Sequence, residues 1–175
     1  MTETPFVPSF DDDASAGRKL AVICSKGNLD MVYPGLILAN AALGEGVETH
    51  LFFTFWGFDI ITKDTMDKLK FTFVGNTAMH LPGHSDRGIH HMLGAIPGAT
   101  AAATKMMRKQ IADLDVPEVP EFLDILHGSG AYMWACRMSA DMNKLTEADL
   151  YDGIDGIISA SDFIEKTDGA QLLFV

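Results

Sequence analysis

Positive charge is scarce in this chain: 13 Lys and Arg stand against 24 Asp and Glu, a formal net charge of −11. That balance repels phosphate backbones and anionic lipid surfaces, so no nucleic acid is expected as a partner. Long apolar runs are missing too. No segment reaches the roughly 18 to 20 uninterrupted apolar residues that a helical membrane span needs, and no span is expected. Neither G-x-x-x-x-G-K-[ST] nor G-x-G-x-x-G occurs, which removes the usual sequence support for nucleotide binding. Cysteine is limited to Cys24 and Cys136. Residues 1–17, with Asp11, Asp12 and Asp13, lack the basic start and apolar stretch of a secretory signal. They read as a flexible leader, and the expected location is cytoplasmic. Two thiols in a reducing compartment are more often buried, catalytic or carrier groups than a structural disulfide.

What is present is a chain of 175 residues, 47% hydrophobic, enough for one sizeable core. Residues 18–175 are read as a single domain. Lys19 to Cys24 is an apolar run of strand length, and the turn Ser25-Lys26-Gly27-Asn28 leads to a helix over about Asp30 to Leu43. Gly44-Glu45-Gly46 stops that helix, and Val47 to Thr54 is a second strand. A β-α-β unit with strands this hydrophobic implies a parallel sheet covered on both faces. Further on, the pattern predicts a helix over Phe58–Leu69 and a strand-like Lys70–Val74. An irregular stretch over Gly75–Pro97 follows, then helices over Ala99–Leu114 and Glu121–Leu126. The last third predicts a strand over Ala131–Ala135 ending at Cys136, a turn or short helix over Asp141–Leu145, and a capping start at Thr146–Asp149. It closes with a strand over Gly156–Ser159, a helix over Ala160–Thr167 capped by Ser159 or Ser161, and a terminal strand over Gln171–Val175. The fold class is α/β, with about five strands in a mainly parallel sheet.

Cys136 falls where a strand gives way to a turn or helix, in Ala135-Cys136-Arg137-Met138-Ser139. The carboxyl ends of strands form the ligand crevice of open α/β sheets, and unpaired N–H groups at a helix start favour an anion such as a thiolate. Arg137 adds charge if it folds back, and Ser139 is placed to donate a hydrogen bond. Together these lower a thiol pKa below its ordinary value. The competing reading is a small buried hydrophobe beside Trp134, and composition does not decide between them. Cys24 also ends a strand, so it is either a relay partner for Cys136 or a core residue continuing Leu20–Ile23; the core reading is the stronger. Ser25, Lys26 and Asn28 form either an anion-binding turn or a plain connector. His80, His84, His90 and His91 crowd one loop, yet their spacing matches no structural zinc pattern, so a polar loop is favoured over a metal site. No cofactor is expected. The ten methionines read as packing.

Three motifs carry a resemblance: Ile23-Cys24-Ser25-Lys26-Gly27-Asn28-Leu29-Asp30, Phe52-Phe53-Thr54-Phe55-Trp56-Gly57 and Ala135-Cys136-Arg137-Met138-Ser139. In this order they resemble the DsrE/DsrF/DsrH-like family, in its DsrE-like branch, over about residues 18–175. The resemblance implies a three-layer α/β/α fold around a parallel five-stranded sheet, and assembly as a homo-oligomer, trimer or hexamer. It further implies a sulfur carrier or sulfurtransferase that holds persulfide or thiosulfonate sulfur on Cys136, working with TusA-like or rhodanese-like carriers. Some members are labelled peroxiredoxins, but no T-x-x-C arrangement surrounds either cysteine here. The alternative function is an oligomeric module that binds a metal or small ligand through the His-rich loop 80–91.

Overall fold

The computed structural model describes residues 17–73, 80–81 and 84–175. The opening unit is β1 (Lys19–Cys24), α1 (Leu29–Gly44) and β2 (Glu48–Phe53), within a residue or two of the expected bounds. A 3-10 helix (Phe55–Ile60) follows, then a two-stranded hairpin of β3 (His80–Leu81) and β4 (His84–Gly88), and a second 3-10 helix (His91–Ala95). Next come α2 (Ala99–Asp113), α3 (Val119–Gly128), β5 (Tyr132–Cys136) and α4 (Arg137–Asn143). After a short 3-10 turn (Glu147–Asp149), the chain ends in β6 (Gly156–Ile158), α5 (Ala160–Lys166) and β7 (Gln171–Phe174). Ser159 caps α5, accepting from Asp162 N while the Asp162 carboxylate accepts from Ser159 N.

All strands of the main sheet run parallel, in the order β6-β5-β2-β1-β7. Alternation along each strand divides the core in two. One face sends Val22, Cys24, Leu51, Phe53, Met133 and Ala135 against α1 and α3. The other sends Ala21, Phe52 and Cys136 against Phe163 of α5. Phe52 and Phe163 stack with ring centroids 4.5 Å apart, which fixes the short α5 on its side. The sheet is therefore the middle of three layers, as expected for an α/β/α fold.

Three stretches depart from the sequence reading. Gly75–Pro97, expected to be irregular, holds the β3–β4 hairpin and a 3-10 helix among its described residues. The helix expected over Phe58–Leu69 is confined to the 3-10 helix ending at Ile60, with turns beyond it. Thr62 and Thr65 return their hydroxyls to the carbonyls of Phe58 and Asp59, a local competition that disfavours a continued helix. Across from them, Tyr151 N donates to Ile61 O and Lys63 N to Asp149 O, drawing the chain into an antiparallel bridge at Thr62 and Leu150. Lys70–Phe73 forms no strand, because its backbone groups are spent elsewhere: Lys70 O accepts from Leu29 N, and Phe71 N donates to the Thr104 hydroxyl. Val74 lies outside the described residues. A smaller difference is at Val119, where α3 starts with Pro120 inside its first turn; a proline is tolerated there because that N–H has no helical partner.

Candidate functional site: a thiol held by hydroxyl and amide donors

Cys136 closes β5 and stands at the N-cap position of α4, with φ −71° and ψ 122°. Helix α4 therefore begins immediately after the thiol rather than at Asp141. Three elements converge there. From the end of β2 comes Thr54, 8% exposed; from the first turn of α4 comes Ser139, fully buried; from the 3-10 helix comes the N–H of Phe55, which donates to Ser139 Oγ at 2.8 Å. Thr54 Oγ1 and Ser139 Oγ are 3.4 Å apart. Because Ser139 Oγ already accepts from Phe55, its own proton is left to give.

The thiol is only 5% exposed. Burial alone would push its pKa up, and it is the largest single influence on the group. The Thr54 hydroxyl, the Ser139 N–H and hydroxyl, and the Met138 N–H act the other way, and together they hold the thiol below its ordinary value. A cysteine that merely filled core space would show the reverse, as Cys24 does. Cys24 is 1% exposed, and burial without donors pushes it up to about 12.

The two cysteines are not brought together. Cys24 is in register with Phe53, and Phe53 with Ala135, so Cys24 shares the α1 face with those residues while Cys136 points to the α5 face. With β2 between them, their strands are roughly 10 Å apart, two inter-strand spacings, and both thiols are free. Cys24 Sγ packs over α1, 3.3 Å from where a Cβ on Gly35 would stand. The other sequence candidates are scattered. Arg137 does not fold back on the thiol; its guanidinium donates to Ile157 O at 2.6 Å on β6. Ser25 holds the chain end, donating to Val175 O through both its hydroxyl and its N–H. Asn28 donates to Asp30, and Lys26 is exposed at the rim of a cleft. His90 Nδ1 accepts from Met92 N, while the side chains of His80, His84 and His91 lie outside the described residues. Among the described residues no cluster of three His, Cys, Asp or Glu is arranged to hold a metal.

Thr54 is the site residue that sequence reading passed over. Its signal was available: it is the hydroxyl that ends the buried run Leu51-Phe52-Phe53, at the same sheet edge as Cys136. Phe55 beside it adopts φ 48°, the left-handed region where a non-glycine side chain is strained. The corner is clamped from below. A Cβ on Gly57 would stand 2.1 Å from Cys24 O, and one on Gly27 would stand 2.2 Å from Trp56 O. Gly57→Ala is accordingly expected to destabilise the fold by about 3 kcal/mol, the upper range for overpacking, since the obstructing atom is backbone. Urea unfolding measures this, and an unchanged midpoint would show that the corner can give way.

A family model described as DsrE/DsrF/DrsH-like family matches residues 16–174. The chain belongs to the DsrE/DsrF/DrsH-like family. Among relatives of known sequence, it is 32% identical over 146 residues to "Sulfur carrier protein DsrE2" of Allochromatium vinosum, covering 83% of this chain and 91% of that one. It is 26% identical over 160 residues to "Uncharacterized protein YrkE" of Bacillus subtilis, covering 90% and 97%. The DsrE-like fold recurs in two solved structures. A protein of unknown function, MTH1491 from Methanobacterium thermoautotrophicum, superposes with a TM-score of 0.55 at 11% identity, covering 90% of this chain and 99% of that one. The ychN protein of E. coli superposes with a TM-score of 0.50 at 13% identity, with the same coverage. The resemblance of the three motifs to this family is thus matched along nearly the whole chain. No helix among the described residues of this DsrE-like chain is long and apolar enough to cross a membrane.

Proposed function

We propose that this DsrE-like protein carries sulfane sulfur on Cys136. The observation that carries the reading is the set of hydroxyl and amide donors that keep this thiol below its ordinary pKa in spite of burial. The relative named as a sulfur carrier supports it. In the loading step the Cys136 thiolate attacks a sulfane sulfur of a donor such as polysulfide or tetrathionate. A new S–S bond forms, the donor's S–S bond breaks, and the shortened polysulfide or thiosulfate leaves with the electron pair. In unloading, an acceptor thiolate attacks the sulfur bonded to Cys136 Sγ in the persulfide or thiosulfonate adduct, the new S–S bond forms on the acceptor, and Cys136 leaves as thiolate. The same donors serve both steps, because a lower-pKa thiol is both more ionised and the better leaving group. A thiol carrier of TusA or rhodanese type is the proposed partner, in the cytoplasm, with this chain as a homo-oligomer. Cys24 has no part in the proposal, since it faces the other side of the sheet. Peptide mass mapping of the full chain after polysulfide or tetrathionate treatment tests it. The expected gain of one sulfur, or of one thiosulfonate group, falls on the peptide containing Cys136; a gain confined to Cys24, or none, overturns it.

A further inference from the structure

A second feature of the carboxyl edge stands apart from Cys136, on the side of the first 3-10 helix that faces α1 and α2. A cleft of about 740 Å³ is lined there by Lys26, Trp56, Asp59, Lys68 and Lys70 among others. It continues through Lys68, Leu69, Lys70 and Thr100 into a second hollow of about 540 Å³ that adds Lys105 and Arg108. Five of the chain's 13 basic residues line this one groove, and Asp59 is the single acidic residue among them, in a chain where acids outnumber bases by 24 to 13. Two of the five are committed: Arg108 donates to the carbonyls of Asp67 and Leu69, and Lys68 donates to Asp64 O and lies 3.7 Å from the Asp67 carboxylate. The ammonium groups of Lys26, Lys70 and Lys105 make no hydrogen bond or ion pair among the described residues. The floor is apolar, with Leu69 and Phe71 4% and 8% exposed, and Trp56 stands at the wall with 68% of its surface open. The Asp59 side chain is half-buried and has no partner among the described residues.

We propose that this groove binds a small phosphorylated or sulfonated molecule with a planar end, of nucleotide size. Uncommitted ammonium groups converging on one concavity supply the attraction for the anionic end. The open ring of Trp56 offers a stacking surface for the planar end, and the Asp59 carboxylate accepts from an N–H or O–H on it. The volumes are those of small-molecule sites. A polymer such as RNA is disfavoured, because the chain as a whole carries a formal net charge of −11 and repels an extended phosphate backbone. Neither a P-loop nor a dinucleotide fingerprint is required for this, since the charge comes from side chains on three separate elements rather than from a glycine-rich backbone cradle.

Calorimetric titration of the full chain at low ionic strength, with pyrophosphate and with ADP as probes, tests the assignment. Both are expected to bind, ADP about tenfold tighter through stacking on Trp56. Lys26→Gln and Lys70→Gln should each weaken both probes by about tenfold, and added salt should weaken both. Trp56→Ala should lower ADP to the level of pyrophosphate. Lys109→Gln, an exposed lysine paired with Asp113 on α2, should leave both unchanged. No heat with either probe at millimolar concentration, or equal weakening by Lys109→Gln, overturns the site. ADP binding no tighter than pyrophosphate overturns the planar-ended class.

Discussion

Removing both hydroxyls at the thiol, in Thr54→Val with Ser139→Ala, is expected to cut the thiolate population of Cys136 at neutral pH by a hundredfold or more. Thr54 and Ser139 supply the two side-chain donors that offset burial. A hydrogen bond to an ionised group contributes about 1.5–3 kcal/mol, and each 1.4 kcal/mol is a factor of ten in the ionisation equilibrium. The sign follows from what remains. With the hydroxyls gone, burial still disfavours the thiolate, so the pKa rises and the neutral thiol prevails over a wider pH range. Alkylation by iodoacetamide followed against pH reads this directly. At neutral pH the loss in rate is smaller than the loss in thiolate, because a more basic thiolate is intrinsically more nucleophilic; with a Brønsted slope of about 0.4–0.5, roughly a tenfold deficit should remain. Above the raised pKa the variant should react faster than the parent. A profile that keeps the parent's midpoint would remove the physical basis of the carrier proposal. Urea unfolding accompanies the measurement, since Ser139→Ala also leaves the Phe55 N–H without its acceptor.

Much of this architecture was legible because local and global preferences agree where the strands are. Lys19–Cys24, Gln171–Phe174 and the strand leading into Cys136 are short apolar runs between turn residues, and each forms a strand of the parallel sheet. Residues 58–74 misled for a physical reason. Their apolar spacing suits a helix and then a strand, but Thr62 is drawn into a bridge with Leu150, and the backbone of Lys70–Phe73 finds partners at Thr104 and the start of α1, all far away in sequence. No local pattern encodes such partners. The site divides the same way. That Cys136 sits at a strand-to-helix junction could be read from Tyr132–Ser139 alone, whereas its donor set depends on Thr54 and Phe55, some eighty residues earlier, being carried to the same edge by the neighbouring strand β2. Strand alternation likewise separates the cysteines. Both end strands at the same edge, so sequence position suggested a pair, but register puts their side chains on opposite faces.

That separation has a thermodynamic signature at alkaline pH. Cys24 has an ordinary pKa of 9.0 and is pushed up to about 12 by burial. Between those values the unfolded chain loses the thiol proton while the folded chain keeps it, so the folded state binds more protons and stability falls as pH rises. At about 1.4 kcal/mol per pH unit, the fall reaches roughly 4 kcal/mol by pH 12, and below pH 9 this thiol contributes no slope. Cys24→Ala should abolish that component. At pH 7 the variant is expected to be about 1 kcal/mol less stable than the parent, because a sulfur packed over Gly35 is lost from the core; above pH 10 the order should reverse. Tyr33 and Tyr151 also titrate above their ordinary values through burial, but they are common to both proteins and cancel in the difference. Chemical denaturation of parent and variant across this range supplies the comparison. If the two proteins lose stability in parallel up to pH 12, Cys24 ionises as readily folded as unfolded. It would then have the solvent contact and available thiolate that a sulfur relay needs, and the division of labour between the two cysteines would have to be redrawn.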